Sequence, residues 1–352
     1  MRLVFILLFS VVWLKIDAQE VPIELRLAKE EKKLPDNLTS VRTAVILHAP
    51  NGQSWKKTAE KVHNQLRQMG IDAIVYLNYR DLTASLQLKN KFIEFLNVRR
   101  VENLIFISSL KQDHRLLITS YAKTKNLIRL NATSWYTEAA TLNDVLFELA
   151  LAIKKKEYEF TNFLIPDQPE IFEDMPLFKG THFPSFPTRI KRLPLAVTKF
   201  ATYAIDSTQA SPQQLSEVKK YNEKIKRKNQ QLEQAFKAFP YKYEMTEPIT
   251  DEEAYRKGYQ FVLRHFNTSG ENIKKLLNYE INAQETDYIS IVPLEGGGRT
   301  LKTIPIDEPV YKFYIKQTIA GDVYVGRHWD AAVNWEEALK NFLLHMKNDF
   351  EK

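Results

Sequence analysis

Cysteine is absent from all 352 residues. Its absence excludes disulfide staples, thiolate metal centres, acylated-cysteine anchors and cysteine nucleophiles, whatever the redox state of the compartment. Glycine is scarce at ten residues, and three of those sit in one run, Gly296-Gly297-Gly298. No phosphate loop and no Gly-x-Gly-x-x-Gly is present, and Gly-x-Ser-x-Gly, His-Glu-x-x-His and the EF-hand loop are missing too. Most familiar enzyme classes lose their signature with them, and no cofactor or metal-ligand set emerges from the motifs. Charge of one sign never builds a long block, and the net +7 from 50 basic and 43 acidic side chains is mild. Nucleic-acid binding calls for a concentrated basic face interleaved with aromatics, so no nucleic-acid partner is expected. Weak attraction to anionic surfaces, including peripheral membrane contact, is the milder consequence.

One long apolar run does occur. Arg2 precedes an almost unbroken stretch from Leu3 to Leu14, followed by Lys15, Asp17 and the small residue Ala18. The run is shorter than the roughly 20 apolar residues that cross a bilayer, and its flanks match a secretory signal cut after Ala18. The expectation is a cleaved signal peptide over 1–18 and a periplasmic or secreted mature chain. The remainder is 44% apolar and 12% aromatic over the full chain, which is globular composition with enough length for two cores.

After an N-terminal segment, 19–40, residues 41–163 alternate strand and helix. Thr43–Ala49 is a buried-strand run, and Trp55, Ala59, Val62, Leu66 and Met69 then recur at helical spacing between Ser54 as cap and Gly70 as stop. A second strand, Ile71–Leu77, a helix starting near Asp81 and a third strand, Asn103–Ser109, complete a βαβαβ unit with a parallel sheet. His114–Tyr121 and Asn126–Leu130 are too close for a crossover helix and predict a hairpin. A capped helix from Thr141 follows. The pattern resembles a flavodoxin-like or Rossmann-like three-layer domain in architecture alone, with a mixed, mostly parallel sheet.

Residues 164–210 begin with six prolines between Pro166 and Pro194, which rule out regular helix there, yet they include Ile171, Phe172, Leu177 and Phe178. Such a segment is expected to pack across the first domain. Ser211-Pro212 then opens a charged connector helix, 211–239, whose heptad seam carries Leu215, Val218, Ile225, Leu232 and Phe236 with Asn222 and Asn229 between them. The seam suggests either a homodimer through 211–238 or packing within the chain. Residues 248–352 predict an α+β domain: helices from Thr250 to Phe266 and from Ser269 to Tyr279, an antiparallel meander of four strands, and a terminal helix from Trp335.

Four constellations carry possible chemistry. Ligands of open α/β sheets gather beyond the carboxyl ends of strands, which selects His48, Asn51, Gln53, Ser54, Asn78, Tyr79, Ser108 and Ser109. Glu295-Gly-Gly-Gly-Arg299 offers free amides and a cation for a carboxylate or phosphate, or else a hairpin loop. Asp167, Glu170, Glu173 and Asp174 offer carboxylates for acid/base work, if they converge. His328-Trp329-Asp330 near Trp335 places an imidazole and two indoles at a strand-to-helix junction, and Trp329 is a candidate partner contact. Together these readings favour an exported envelope binding or assembly protein that engages an envelope protein or small ligand. The competing expectation is a hydrolase of a phosphorylated or glycosidic envelope substrate.

Overall fold

The computed structural model describes residues 21–28, 32–49, 54–110, 113–124, 126–130, 132, 134–162, 164–173, 175–282, 284–296, 298–306 and 308–351. The signal-peptide expectation over 1–18, and the candidates Asn51, Gln53 and Asp174, lie outside them.

A short helix, α1 (Ile23–Leu27), precedes a five-stranded sheet made of β1 (Arg42–His48), β2 (Asp72–Asn78), β3 (Asn103–Leu110), β4 (Asp113–Ser120) and β5 (Ser134–Ala139). Helices α2 (Trp55–Gln68), α3 (Tyr79–Thr83), α4 (Leu86–Val98) and α5 (Leu142–Lys156) are interleaved. The order is β2-β1-β3-β4-β5. Both ladders of β1 are parallel, while β3–β4 and β4–β5 are antiparallel. The sheet is therefore evenly mixed rather than mostly parallel. Strand alternation splits its side chains between two layers. Val45, Leu47, Ile105 and Ile107 pack with α2 and α5. Ala44, Ile46, Leu104 and Phe106 pack with α4.

Two local expectations need correction. The helix expected near Asp81 is two pieces, because Ser85 stops and restarts it by accepting from the Leu88 amide at 3.1 Å. The second hairpin strand is Ser134–Ala139, not Asn126–Leu130; the latter makes one bridge, Tyr121 to Ile128, and turns Leu127 and Ile128 into the core.

The proline-rich segment straps the molecule. Its first half adds to the free edge of β2, where the Tyr76 amide donates to Glu170 O (2.9 Å) and the Phe172 amide to Tyr76 O (3.1 Å). Phe172 packs against Phe95, with centroids 4.4 Å apart. Its second half enters a six-stranded sheet as β6 (His182–Phe183) and, after a single turn at Thr188–Lys191, β7 (Leu195–Thr198).

The remaining elements are α6 (Pro212–Phe236), β8 (Tyr243–Thr246), α7 (Asp251–Arg256), β9 (Phe261–Ser269), α8 (Gly270–Leu277), β10 (Asp287–Pro293), β11 (Arg299–Pro305), β12 (Pro309–Gln317), β13 (Val323–Tyr324) and α9 (Trp335–Phe350). The second sheet runs β6-β13-β12-β9-β7-β8, with β10 and β11 forming a separate antiparallel pair. It is not a meander. The helix expected through Phe266 stops at Gly258, whose φ of +84° favours glycine, and Phe261–Ser269 becomes a central strand. Buried on both faces, that strand shows no clean alternation and so mimics a helical apolar run.

The parallel pair β7 and β8 needs a crossover connection, and α6 supplies it. Its capping box at Ser211 and Gln214 is complete. Its seam turns inward. Val218, Ile225, Leu232 and Phe236 are buried in the chain's own interior, and Leu215 alone of the five apolar seam residues is exposed, at 39%. The two seam asparagines clamp backbone: Asn222 bonds Tyr203 N and O (2.8 and 3.0 Å), and Asn229 bonds Phe200 N and O (2.8 and 3.1 Å). The heptad thus reads out intramolecular packing, and the dimer seam expected at Val218, Ile225 and Leu232 is occupied by the chain itself.

One apolar cluster passes from the α4 face of the first sheet to Phe266, Tyr314 and Val323 of the second, joining the two halves through a common core. Two buried polar links cross the same junction: Thr268 Oγ1 donates to Asp81 Oδ1 at 2.5 Å, and the Asn267 amide donates to Ala84 O at 2.9 Å.

Candidate functional site

Parallel pairing sets His48 opposite Ser108 at the carboxyl end of the first sheet. The register brings His48 Nδ1 within 3.0 Å of Ser108 Oγ, with the two residues 5% and 0% exposed. Burial, assisted by the Arg80 guanidinium, pushes the His48 imidazole down to about 4, so it is neutral at pH 7. Tyr79 stands edge-on to that ring, centroids 5.5 Å apart, and its hydroxyl donates to Glu24 Oε2 at 2.8 Å. Glu24 is fully buried and comes from α1, which no local pattern places here. Burial and then the Glu24 carboxylate raise the Tyr79 phenol well above its ordinary value. Helix α1 and the Tyr203 region of the chain therefore cover the crevice where an open sheet would bind a ligand.

The other crevice candidates have local structural roles. Asn78 caps α3, its Oδ1 accepting from the Arg80 amide at 2.9 Å. Ser54 is the N-cap residue of α2, with its carbonyl accepting from the Thr58 amide at 3.4 Å. Ser109 Oγ bonds His114 Nδ1 at 3.0 Å across the β3–β4 hairpin. Arg299 is remote from them all, exposed at the start of β11 opposite Pro293. The structure therefore unites His48, Tyr79 and Ser108 and separates Arg299 from them.

The three described members of the acidic set do not converge. Asp167 pairs with Arg67, Glu170 grips Arg99 through two bonds of 2.6 and 2.5 Å, and Glu173 pairs with Lys56. Each carboxylate meets a different cation along the first domain, so the three act as rivets of the strap. A shared acid/base cleft around Asp167 is corrected on this geometry.

A second cluster lies inside the C-terminal half. Lys312 Nζ and Asp330 Oδ1 form an ion pair of 2.6 Å at 0% and 1% side-chain exposure. Lys312 also donates to Val325 O at 2.9 Å, and Asp330 Oδ2 accepts from His345 Nδ1 at 2.8 Å. Burial pulls the Lys312 ammonium below its ordinary value, against the opposing pull of Asp330. Asp330 was marked by the sequence; its partners were not. The available signal was two lysines, Lys312 and Lys316, within an aromatic strand that otherwise reads as core. Lys316 finds Asp251 at 2.5 Å, and Asp251 also pairs with buried Arg264 at 3.1 Å. Trp329 is 8% exposed and packs edge-on to Tyr279 and Tyr288, so it serves the core rather than an outer surface.

Two shallow cavities open near the amino ends of the strands. One, of about 450 Å³, lies between Arg42, Asp72, Arg99 and the strap; the other, of about 330 Å³, lies between the Asp36–Ser40 turn and the end of α5. Among the described residues no group of three or more His, Asp or Glu side chains is gathered as metal ligands, and no helix is long and apolar enough to cross a membrane. Comparison with protein-family models and with curated proteins finds no match for this chain.

Proposed function

We propose that the chain is an exported binding or assembly component of the cell envelope, periplasmic or secreted after removal of residues 1–18. In this reading the first domain is a flavodoxin-like scaffold and the C-terminal half contacts an envelope protein. The carrying observation is the β10–β11 ladder. Ile289 and Leu301 are 57% and 67% exposed, and the register Ile291 to Leu301 and Ile289 to Thr303 puts them on one face. Leu294 at the turn adds a third exposed apolar side chain at 48%. Contiguous apolar surface of this kind, rimmed by polar residues, is characteristic of partner sites. The test is a crosslinked pull-down of the full chain from its native cells, with mass spectrometry of the mature N-terminus and of the companions. A start near Gln19, with companions lost in Ile289→Lys/Leu301→Asp, supports the proposal. Companions unchanged by that variant end it. Light scattering tests a homodimer through 211–238: with Val218, Ile225 and Leu232 packed inside the chain a monomer is expected, and a dimer that Leu215→Glu dissociates would restore that component.

The hydrolase reading draws on one specific observation, the 3.0 Å His48–Ser108 contact, which has the spacing of a base and its nucleophile. Screening phosphate monoesters and glycosides with the parent, Ser108→Ala and His48→Ala tests it. Turnover abolished in both variants supports catalysis, and equal turnover in all three sinks it.

A further inference from the structure

His345 is held by a carboxylate in a way that leaves one nitrogen unused. An ionised carboxylate only accepts hydrogen bonds. In the neutral ring, which is the form that binds a metal, the 2.8 Å contact with Asp330 Oδ2 places the proton of His345 on Nδ1 and leaves Nε2 with a lone pair. That Nε2 is buried and has no hydrogen-bond partner, although the side chain is 9% exposed overall. The Lys312 ammonium takes the other oxygen of Asp330 and balances its charge, which keeps the carboxylate in a supporting position.

The group facing His345 is a second imidazole. The His328 and His345 ring centroids lie 5.3 Å apart with the planes inclined at 48°. Two imidazoles bound to one tetrahedral zinc through bonds of about 2.0–2.1 Å hold their ring centroids about 5 Å apart. A histidine whose other nitrogen donates to a carboxylate is also the recurrent arrangement of metal ligands, because the carboxylate fixes the ring and raises its basicity. Asp349 stands one helical turn beyond His345 on α9, and its charge reaches His328.

We propose that His328 and His345 form a divalent transition-metal site of the zinc class, with Asp330 orienting His345 from behind and water completing the coordination. The site spans the Gly326–Asp330 loop and α9, so a bound ion would pin the terminal helix to that loop. Arg299 lies within electrostatic reach of His328 and opposes a cation there, whereas Asp349 and Asp330 favour one. Two imidazoles working against that guanidinium make a modest site rather than a structural zinc centre that the fold requires.

The experiment is calorimetric titration of zinc chloride into the full chain, untagged and stripped with a chelator, alongside His328→Ala and His182→Ala. His328 is half-buried and makes no side-chain hydrogen bond among the described residues, so its removal should leave the metal-free melting temperature near that of the parent. His182 bonds Leu276 O on another part of the surface and controls for adventitious binding. The expected result is one zinc per chain, at least tenfold weaker in His328→Ala and unchanged in His182→Ala, with zinc raising the melting temperature of the parent but not of His328→Ala. Absence of binding at submillimolar zinc overturns the proposal, and so does binding that survives His328→Ala.

Discussion

At the end of the first sheet a neutral imidazole meets a hydroxyl, His48 with Ser108, and a phenol meets a carboxylate, Tyr79 with Glu24. Inside the second half, a full cation meets a full anion, Lys312 with Asp330, sealed beside the Tyr279 and Phe342 rings. Both clusters are buried, but the His48–Ser108 pair is neutral whereas the Lys312–Asp330 pair is ionic. A buried neutral pair asks only that its hydrogen bonds be kept. A buried ion pair carries a desolvation penalty that its partners barely offset, so its integrity matters far more than its net contribution. The Lys312–Asp330 pair is therefore the more sensitive to single changes, and the His48–Ser108 pair to acid.

The sharpest way to break this contrast is Asp330→Ala. Lys312 would remain buried without its counter-charge, and the loss of unfolding free energy should be about 3–5 kcal/mol by denaturant titration. Lys312→Met/Asp330→Leu, which removes both charges, should recover most of that loss. A small loss in the single variant would mean that water reaches Lys312 and that the cluster is not sealed.

Acid tests the first half. The folded His48 is held at about 4, below its ordinary 6.5. Its stabilising contribution is present above pH 6.5 and is lost as pH falls to about 4, because the unfolded chain takes up the proton first. The displacement corresponds to about 3 kcal/mol. His265, also lowered to about 4 by burial, lies on β9 and carries the same acid dependence into the second half. Stability measured from pH 7 to 4 should fall less steeply in His48→Gln than in the parent; parallel curves would mean that His48 is hydrated.

Between these extremes stands α6. Asn222→Ala removes two bonds to the Tyr203 backbone and should cost about 1–2 kcal/mol, with Asn229→Ala comparable. Cost-free substitution at both positions would return the seam to intermolecular duty. At the bottom of the scale, Arg256→Ala breaks an ion pair with Glu252 whose side chains are 70% and 72% exposed, and should change stability by no more than about 0.5 kcal/mol.

What the sequence made legible follows the range of its interactions. Strands β1 to β3 and helices α2, α5, α6 and α9 were readable because their signals are local: apolar period, a cap at Thr141, a proline start at Ser211-Pro212, a stop at Gly70. Leu195–Thr198 was hidden because its neighbours, Tyr243–Thr246 and Phe261–Leu263, come from distant parts of the chain. Asparagine in a heptad seam was ambiguous for the same reason, since the pattern records that something covers it but not what. At the candidate site, His48, Tyr79 and Ser108 were identified by strand ends alone. Glu24, Lys312 and His345 were not, because a charged residue in the interior betrays itself only when its partner is known.

The strap imposes an order in time. Its first half docks on β2, whose sheet is complete once Ala139 has been made, but β7 must wait for Tyr243 and then Phe261, and β6 for Val323. Closing such long loops is slow. A chain interrupted between those points would carry a finished first sheet beside two strands with open edges, and open edges are where chains capture one another. The same thread that binds the halves of the finished molecule leaves the unfinished one exposed to aggregation until its last quarter arrives.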